Sequence, residues 1–225
     1  VHYAFGQFFS NSGTALTSTV NAGFLVQFST VTTTILAAVV LKEKLKKSKI
    51  VTVIMIIIGS FLLITKGALI VPRLGDILIL LACLSWSTGN VLVRKTLRST
   101  TVSGDVVSFL RPIAGLPVLL FFVALSPLYP SPIKEVFAQN LFAREYLGYT
   151  VVNGLLSALV WIYLNRTLKV ASASYMTMMS SLTPVLVTIM AIVFLHEKLL
   201  PIQLLGILII ISSGTITQLL KIDKD

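Results

Sequence analysis

Polar side chains recur at helical spacing inside otherwise apolar stretches of the chain. Cys83, Ser87, Asn90 and Arg94 follow one another at steps of four, three and four residues, and Trp86 lies three residues after Cys83. This spacing places them on one side of a helix. Such a face can bind a polar ligand, or it can hydrogen-bond a neighbouring helix at about 1 kcal/mol or less per contact. The spacing predicts the polar face and leaves both roles open.

Three more stretches carry faces of this kind. The candidate ligand-binding residues on the four faces are Gln27, Thr30, Trp86, Asn90, Asn153, Ser157, Trp161, Ser174, Thr177 and Ser181. Interhelical hydrogen bonding is the alternative for the hydroxyls and amides. For the two tryptophans the alternative is anchoring at a boundary between apolar and polar surroundings.

Arg111 is the ionisable side chain placed most clearly within an apolar run. It lies about 10 Å beyond Gly104 at 1.5 Å per helical residue. A cation at this depth needs a partner or water. Arg111 is therefore a candidate anchor for a carboxylate or phosphate of a ligand, the alternative being that its side chain extends to the polar boundary.

Two glutamates and a proline stand out at the ends and in the middle of apolar runs. Glu43 and Glu197 each follow a run and stand next to lysines, so local ion pairing is the simpler interpretation. Pro184 lacks a backbone donor and predicts a bend, with a hinge as its candidate role.

The usual parts of metal and catalytic sites are missing from the sequence. Cys83 is the single cysteine, and His2 and His196 are the two histidines, so neither a disulfide within the chain nor a metal site is predicted. His196-Glu197 begins like a zinc-binding H-E-x-x-H motif, but Leu200 occupies the second histidine position. No nucleophile or phosphate-binding motif is present, so we expect neither an enzyme nor a cofactor.

The composition indicates that these faces lie on membrane-spanning helices. Hydrophobic residues make up 56% of the 225, charged residues 12%, and the mean hydropathy is +0.94. Continuously apolar runs predict helices instead of a barrel. The eight predicted spans are 1–13, 19–41, 50–64, 74–93, 105–128, 145–164, 173–195 and 202–220. The fold class is therefore an all-α, polytopic transmembrane helical bundle.

An internal repeat relates the two parts of the chain. A shift of 154 residues aligns Leu41-Lys42-Glu43-Lys44-Leu45 with Leu195-His196-Glu197-Lys198-Leu199, and Asn11 with Asn165. We divide the chain into a first half, 1–71, and a second half, 72–225. The second half has five spans, so we expect ten in all, with about eight present because the first half begins within its repeat.

An odd number of spans per repeat places the two halves in opposite orientations. Most of the 18 lysines and arginines fall in loops that this topology puts on one side, which predicts a cytoplasmic C-terminus. Because the net charge of +10 lies in these loops and not in a soluble domain, nucleic acid is not an expected partner. A homodimer and a monomer are both compatible with the sequence.

The order of several short motifs resembles that of the EamA-type transporters of the drug/metabolite transporter superfamily. Each repeat contains a span ending in Leu-x-Glu-Lys-Leu, and the second repeat adds Ala82-Cys83-Leu84-Ser85-Trp86, Leu110-Arg111-Pro112 and Ser181-Leu182-Thr183-Pro184. The resemblance covers essentially the whole chain. The first repeat has Thr30 where the family pattern has a proline.

The resemblance implies a secondary transporter in a prokaryotic plasma membrane. Its substrates would be amino acids or similar small organic metabolites, moved outward by alternating access, with the site near the midplane between the halves. A passive channel or facilitator is the alternative, and a membrane-embedded enzyme is a more distant one. The solute and the lipid bilayer are the expected partners.

Overall fold

The computed structural model describes residues 2–138, 144–196 and 198–219, and every regular element in these ranges is helical. The helices are α1 (His2–Leu16), α2 (Thr19–Leu25), α3 (Phe28–Leu41), α4 (Lys47–Thr65), α5 (Leu74–Ser99), α6 (Gly104–Ala124), α7 (Ser131–Ala138), α8 (Arg144–Val170), α9 (Ala173–Ser180), α10 (Thr183–Leu195) and α11 (Pro201–Leu219). A 3-10 turn occupies Ser126–Leu128.

Seven helical stretches of the described chain are long and apolar enough to cross a bilayer. They are Thr19–Leu41, Lys47–Thr65, Leu74–Ser99, Gly104–Ala124, Tyr146–Val170, Ala173–Leu195 and Pro201–Leu219. The first predicted span corresponds to α1, which has 15 residues and is shorter than the roughly 20 that cross the hydrocarbon. The predicted all-α, polytopic helical bundle is confirmed.

Two of the predicted spans are broken in the middle. The stretch 19–41 divides into α2 and α3 at Val26–Gln27, and the stretch 173–195 divides into α9 and α10 at Ser181–Leu182. Pro184 occupies the start of α10 and cannot donate to the carbonyl of Ser180, which instead accepts from Thr183 Oγ1 at 2.6 Å. The break lies just before Pro184, and the use of this proline as a hinge stays a prediction.

The break between α2 and α3 forms without a proline. Here the Cys83 thiol of α5 donates to the carbonyls of Leu25 and Val26, at 3.4 and 3.6 Å. Carbonyls that leave the helical pattern inside a membrane must find another donor. At the equivalent positions Val26 and Ser180, the two breaks therefore use different side chains, the Cys83 thiol and the Thr183 hydroxyl, as donors to the backbone carbonyl.

The sequence repeat extends to the helix boundaries. Under the shift of 154 residues, α4 coincides with α11 over its whole length, and the first residue of α2 falls on the first residue of α9. Ser18 and Ser172 cap α2 and α9 in the same way, each accepting from the backbone N–H three residues on. Lys42 and His196 end α3 and α10 in the left-handed conformation, with φ of 56° and 53°. The opposite orientation of the halves stays a prediction.

Helices α4 and α11 pack with their backbones close together. A Cβ at Gly59 would lie 2.9 Å from the carbonyl oxygen of Gly206, and a Cβ at Gly206 would lie 2.7 Å from that of Gly59. Gln203, near the start of α11, donates to the carbonyl of Leu63 near the end of α4 at 3.1 Å. The helices are therefore antiparallel, and α11 ends at the end of the bundle where α4 begins.

Two basic side chains join α5 and α8 at this same end. Arg94 of α5 donates through Nη1 to the carbonyls of Leu168 and Lys169, each at 2.8 Å. Lys169 of α8 donates in return to the carbonyls of Leu97 and Thr100, at 2.7 and 2.8 Å. Each cation caps the C-terminus of the other helix, where the helix dipole favours positive charge.

Glu43 does more than the local ion pairing predicted for it. Its Oε2 lies 3.4 Å from Lys49 Nζ, which is the expected local pair. The same carboxylate also accepts from Ala173 N at 3.0 Å and from Ser174 Oγ at 2.7 Å. Glu43 therefore connects the first half of the chain to the N-terminus of α9 in the second half, while Glu197 lies outside the described residues.

Candidate functional site

A cavity of about 560 Å³ lies between the N-terminal half of α6 and the C-terminal half of α8. Its lining residues are Tyr3, Asp105, Ser108, Phe109, Arg111, Pro112, Ile113, Gly154, Ser157, Ala158, Trp161, Ile162 and Asn165. Tyr3 comes from α1 in the first half, and the others come from the second. Most of the wall is apolar, with few polar groups, as is common for small-molecule sites.

Arg111 is the charged group deep in this cavity. Its Nη2 donates to Asn90 Oδ1 at 3.0 Å, and the guanidinium carbon lies 4.7 Å from the centroid of the Trp161 ring. Its Nη1 is buried and has no hydrogen-bond partner among the described residues. The structure thus orients the guanidinium through a neutral amide and an aromatic face, and leaves one of its donor atoms unused.

Glycines on two helices make room for this arrangement. A Cβ at Gly89 of α5 would lie 3.0 Å from Arg111 Nη2, so a larger residue there would push the guanidinium away. A Cβ at Gly104 of α6 would lie within 2.7–2.8 Å of Asn165 O and Arg166 N, which shows how closely α6 and α8 approach. Ser103 caps α6 just before this contact by accepting from Val106 N.

Trp161 links three parts of the site. Its ring packs edge-on against Tyr3, with centroids 5.3 Å apart, and its face contacts the Arg111 guanidinium. Its carbonyl accepts from Ser108 Oγ at 3.2 Å and from Asn165 Nδ2 at 2.9 Å. The half-buried Trp161 is therefore a wall of the cavity as well as a backbone acceptor.

Asn165, Ser108 and Tyr3 are cavity residues that were not among the sequence-based candidates. Asn165 is fully buried, and its Nδ2 also donates to Ser108 Oγ at 2.9 Å. The signals were present but weak: Ser108 precedes Arg111 by one helical turn, and Asn165 aligns with Asn11 in the repeat. Neither feature shows which helices pack together.

An ion pair stands at the outer end of the cavity. Arg166 Nε lies 2.6 Å from Asp105 Oδ1, and Arg166 Nη2 lies 3.1 Å from Asp105 Oδ2. Both side chains are about half exposed, at 55% and 53%. An exposed pair of this kind contributes about 1 kcal/mol or less to stability. It is therefore of interest for its position beside the cavity and not for its contribution to stability.

Four of the predicted binding residues make interhelical or intrahelical hydrogen bonds away from this cavity. Thr30 Oγ1 lies 2.8 Å from Ser181 Oγ, and Ser181 donates to the carbonyl of Thr177 at 3.0 Å. Thr177 Oγ1 donates to the carbonyl of Ser174, whose own hydroxyl donates to Glu43. All four are buried, and these contacts match the alternative role given to hydroxyls above.

The remaining candidates occupy separate places. Gln27 is half-buried at the break between α2 and α3, where its side chain makes no capping bond. The Trp86 ring packs against α1 so closely that a Cβ at Gly6 would overlap it. Asn153 is exposed and lines a groove on the outside of α8, where it accepts from Ser157 at 3.4 Å. The structure therefore brings Arg111, Ser157 and Trp161 together in the cavity lining, with Asn90 as the hydrogen-bond partner of Arg111. A substrate-binding role for any of the candidates stays a prediction.

Comparison with known proteins places this bundle in a family. The profile of the EamA-like transporter family matches residues 1–65 and 73–217. The chain is 23% identical over 219 residues to "Uncharacterized transporter YyaM" of Bacillus subtilis (strain 168), covering 94% of this chain and 68% of that protein. A solved crystal structure 17% identical in sequence shares the fold, with a TM-score of 0.72, over 98% of this chain and 77% of the other. The chain therefore belongs to the EamA-like transporter family and is a multi-pass membrane protein with a transporter role.

Proposed function

We propose that the protein is a secondary carrier that moves small organic solutes by alternating access, with the cavity between α6 and α8 as its substrate site. The observation that carries this proposal is Arg111, a half-buried cation whose buried Nη1 lacks a hydrogen-bond partner among the described residues. A cation is expensive to hold inside a membrane and commonly marks a substrate path. A solute that supplies an anionic group would satisfy it.

The composition of the cavity supports a small organic anion or zwitterion as the solute. The guanidinium forms charge-assisted hydrogen bonds with a carboxylate or phosphate. Phe109, Ile113 and Ile162 offer apolar surface to the rest of the molecule. Amino acids and similar metabolites combine these two properties. No resident cofactor is needed for this kind of binding.

The location of the cavity supports export. It lies at the end of the bundle that carries the α5–α8 caps, near the lysines that follow α3 and precede α4. Basic residues favour the cytoplasmic side. In the proposed orientation the cavity entrance and the end of α11 face the cytoplasm of a prokaryotic cell, so that substrate loads from inside. Lys221 and Lys224, which contribute to this argument, lie outside the described residues.

Uptake into proteoliposomes tests the proposal. The purified chain is reconstituted and loaded with unlabelled phenylacetate, and entry of radiolabelled phenylacetate is followed. A carrier gives saturable entry that internal solute accelerates, and Arg111→Gln lowers this entry while Arg98→Gln, at an exposed position, leaves it unchanged. Non-saturating entry that internal solute does not accelerate would contradict the proposal and favour a channel.

A further inference from the structure

A second buried polar atom without a partner among the described residues belongs to Asn165, a residue of the same cavity lining. Asn165 Oδ1 is buried and accepts no hydrogen bond from the described residues, while the whole side chain is fully buried. Its orientation is fixed by its neighbour, because Nδ2 lies 2.9 Å from the carbonyl of Trp161, a group that can only accept. Asn165 Oδ1 is therefore the side-chain atom that lacks a hydrogen-bond partner among the described residues.

The two unpartnered atoms are complementary. Arg111 Nη1 is a donor and Asn165 Oδ1 is an acceptor, and Trp161 contacts both side chains. Its ring contacts the guanidinium and its carbonyl contacts the amide. Trp161 and Asn165 are four residues apart on α8, about 6 Å along the helix.

Leaving such atoms unsatisfied destabilises this conformation, because each polar atom has lost its contact with water and has gained no partner. Both atoms have almost no solvent-accessible surface. A solute that enters between α6 and α8 and supplies one acceptor and one donor would remove both penalties at once. An apolar solute of the same shape would remove neither.

We infer that Asn165 is a second anchor of the substrate site, and that the preferred solute is a carboxylate carrying a hydrogen-bond donor at the other end of an apolar or aromatic body. This inference rests on the proposed function and adds a specificity-determining residue to it. Arg111 holds the carboxylate, and Asn165 selects for the donor. Tyr3 and Trp161 supply aromatic surface for the body between these groups.

A pair of ligands that differ by one hydroxyl tests the inference. Phenylacetate and 4-hydroxyphenylacetate share the carboxylate and the ring, and the second has a donor at the far end. Binding of each to the purified chain is measured by calorimetry. We expect 4-hydroxyphenylacetate to bind about tenfold more tightly, because its hydroxyl satisfies an acceptor that is otherwise unpaired.

Two variants separate this role of Asn165 from a structural one. Asn165→Leu keeps the size of the side chain but has no acceptor, so the ratio of the two affinities falls to about one. Ser108→Ala removes the hydroxyl partner of Nδ2 and leaves Oδ1 in place, so the ratio is retained even if both affinities fall.

The outcomes distinguish this inference from the proposed function. Equal binding of the two ligands by the unaltered protein, or a ratio that survives in Asn165→Leu, would overturn the role of Asn165 while leaving Arg111 as an anion anchor. Failure of both ligands to bind the unaltered protein would overturn the inference together with the anchor. A ratio of about ten that is lost in Asn165→Leu and kept in Ser108→Ala supports the inference.

Discussion

Lys49 and Arg111 are both cations removed from solvent, but their surroundings are opposite. Lys49 is fully buried at the start of α4 and is paired with Glu43, whose carboxylate is itself held by Ser174 and the backbone N–H of Ala173. Arg111 contacts a neutral amide and a tryptophan ring, and its Nη1 has no partner among the described residues. One cation is neutralised by the fold, and the other is not.

In a membrane bundle, the partners of a charged side chain distinguish a structural role from a functional one. A charge whose partners all come from the chain is part of the framework, and removing one partner leaves the other uncompensated. A charge that the chain leaves partly unsatisfied is maintained at the expense of stability. The site around Glu43 should therefore govern stability, and the site around Arg111 should govern transport.

The largest expected effect is that of Glu43→Gln on stability. The substitution leaves Lys49 without its carboxylate and weakens the cap of α9, which should cost about 3 kcal/mol and lower Tm by roughly 6–12 °C in detergent. Lys44→Gln, at an exposed position in the same loop, is the matched control and should leave Tm unchanged. Equal Tm values for Glu43→Gln and the unaltered protein would remove the structural role assigned to this carboxylate.

Next in size is the effect of Arg111→Gln on transport. The variant keeps a polar side chain but cannot bind an anion by charge, so uptake of phenylacetate should fall at least about tenfold. Its Tm should stay the same or rise, since the buried charge is gone. An Arg111→Gln variant with a lower Tm and unchanged uptake kinetics would show that Arg111, like Lys49, has a structural role.

A smaller effect is expected for Trp161→Leu. Loss of the ring removes the cation–π contact with Arg111, worth about 1 kcal/mol, and should raise KM by roughly fivefold. Trp161→Phe retains an aromatic face and should stay close to the unaltered protein. If the leucine and phenylalanine variants have the same KM, the ring does not orient the guanidinium.

The smallest effect is expected for Thr33→Val in the hydroxyl contacts between α3 and α5. Thr33 is fully buried and donates to Ser87 Oγ at 2.8 Å, so its hydroxyl is satisfied by the chain. The variant should lose about 1 kcal/mol of stability or less, seen as a Tm shift of a few degrees, with unchanged uptake. A change in KM would extend the substrate path into this region.

The sequence predicted the framework better than the contacts within it. Continuous apolar runs and the repeat gave the spans, because the membrane imposes length and hydropathy on every helix. The break at Val26–Gln27 was not predicted, because it is stabilised by Cys83 from a helix nearly 60 residues away. Arg111 could be singled out because a cation in an apolar run is rare.

The other cavity residues depend on packing that a single sequence does not show. Asn165 lies at the site because Gly104 lets α6 approach α8 closely. The spacing of residues within α8 does not predict that approach. Glu43 reaches Ala173 across 130 residues of sequence, so local pairing with lysine was the interpretation its neighbours favoured. Serines and threonines with helical spacing serve binding and packing alike, and only their partners distinguish the roles.

A solute that binds beside Arg111 and Trp161 should change the fluorescence of Trp161. The chain has two tryptophans, so Trp86→Phe makes Trp161 the single reporter. Titrating this purified protein with phenylacetate should change the tryptophan emission saturably, and adding Arg111→Gln should abolish the change. No saturable change, or an equal change with and without Arg111, would show that the solute does not bind beside Arg111 and Trp161.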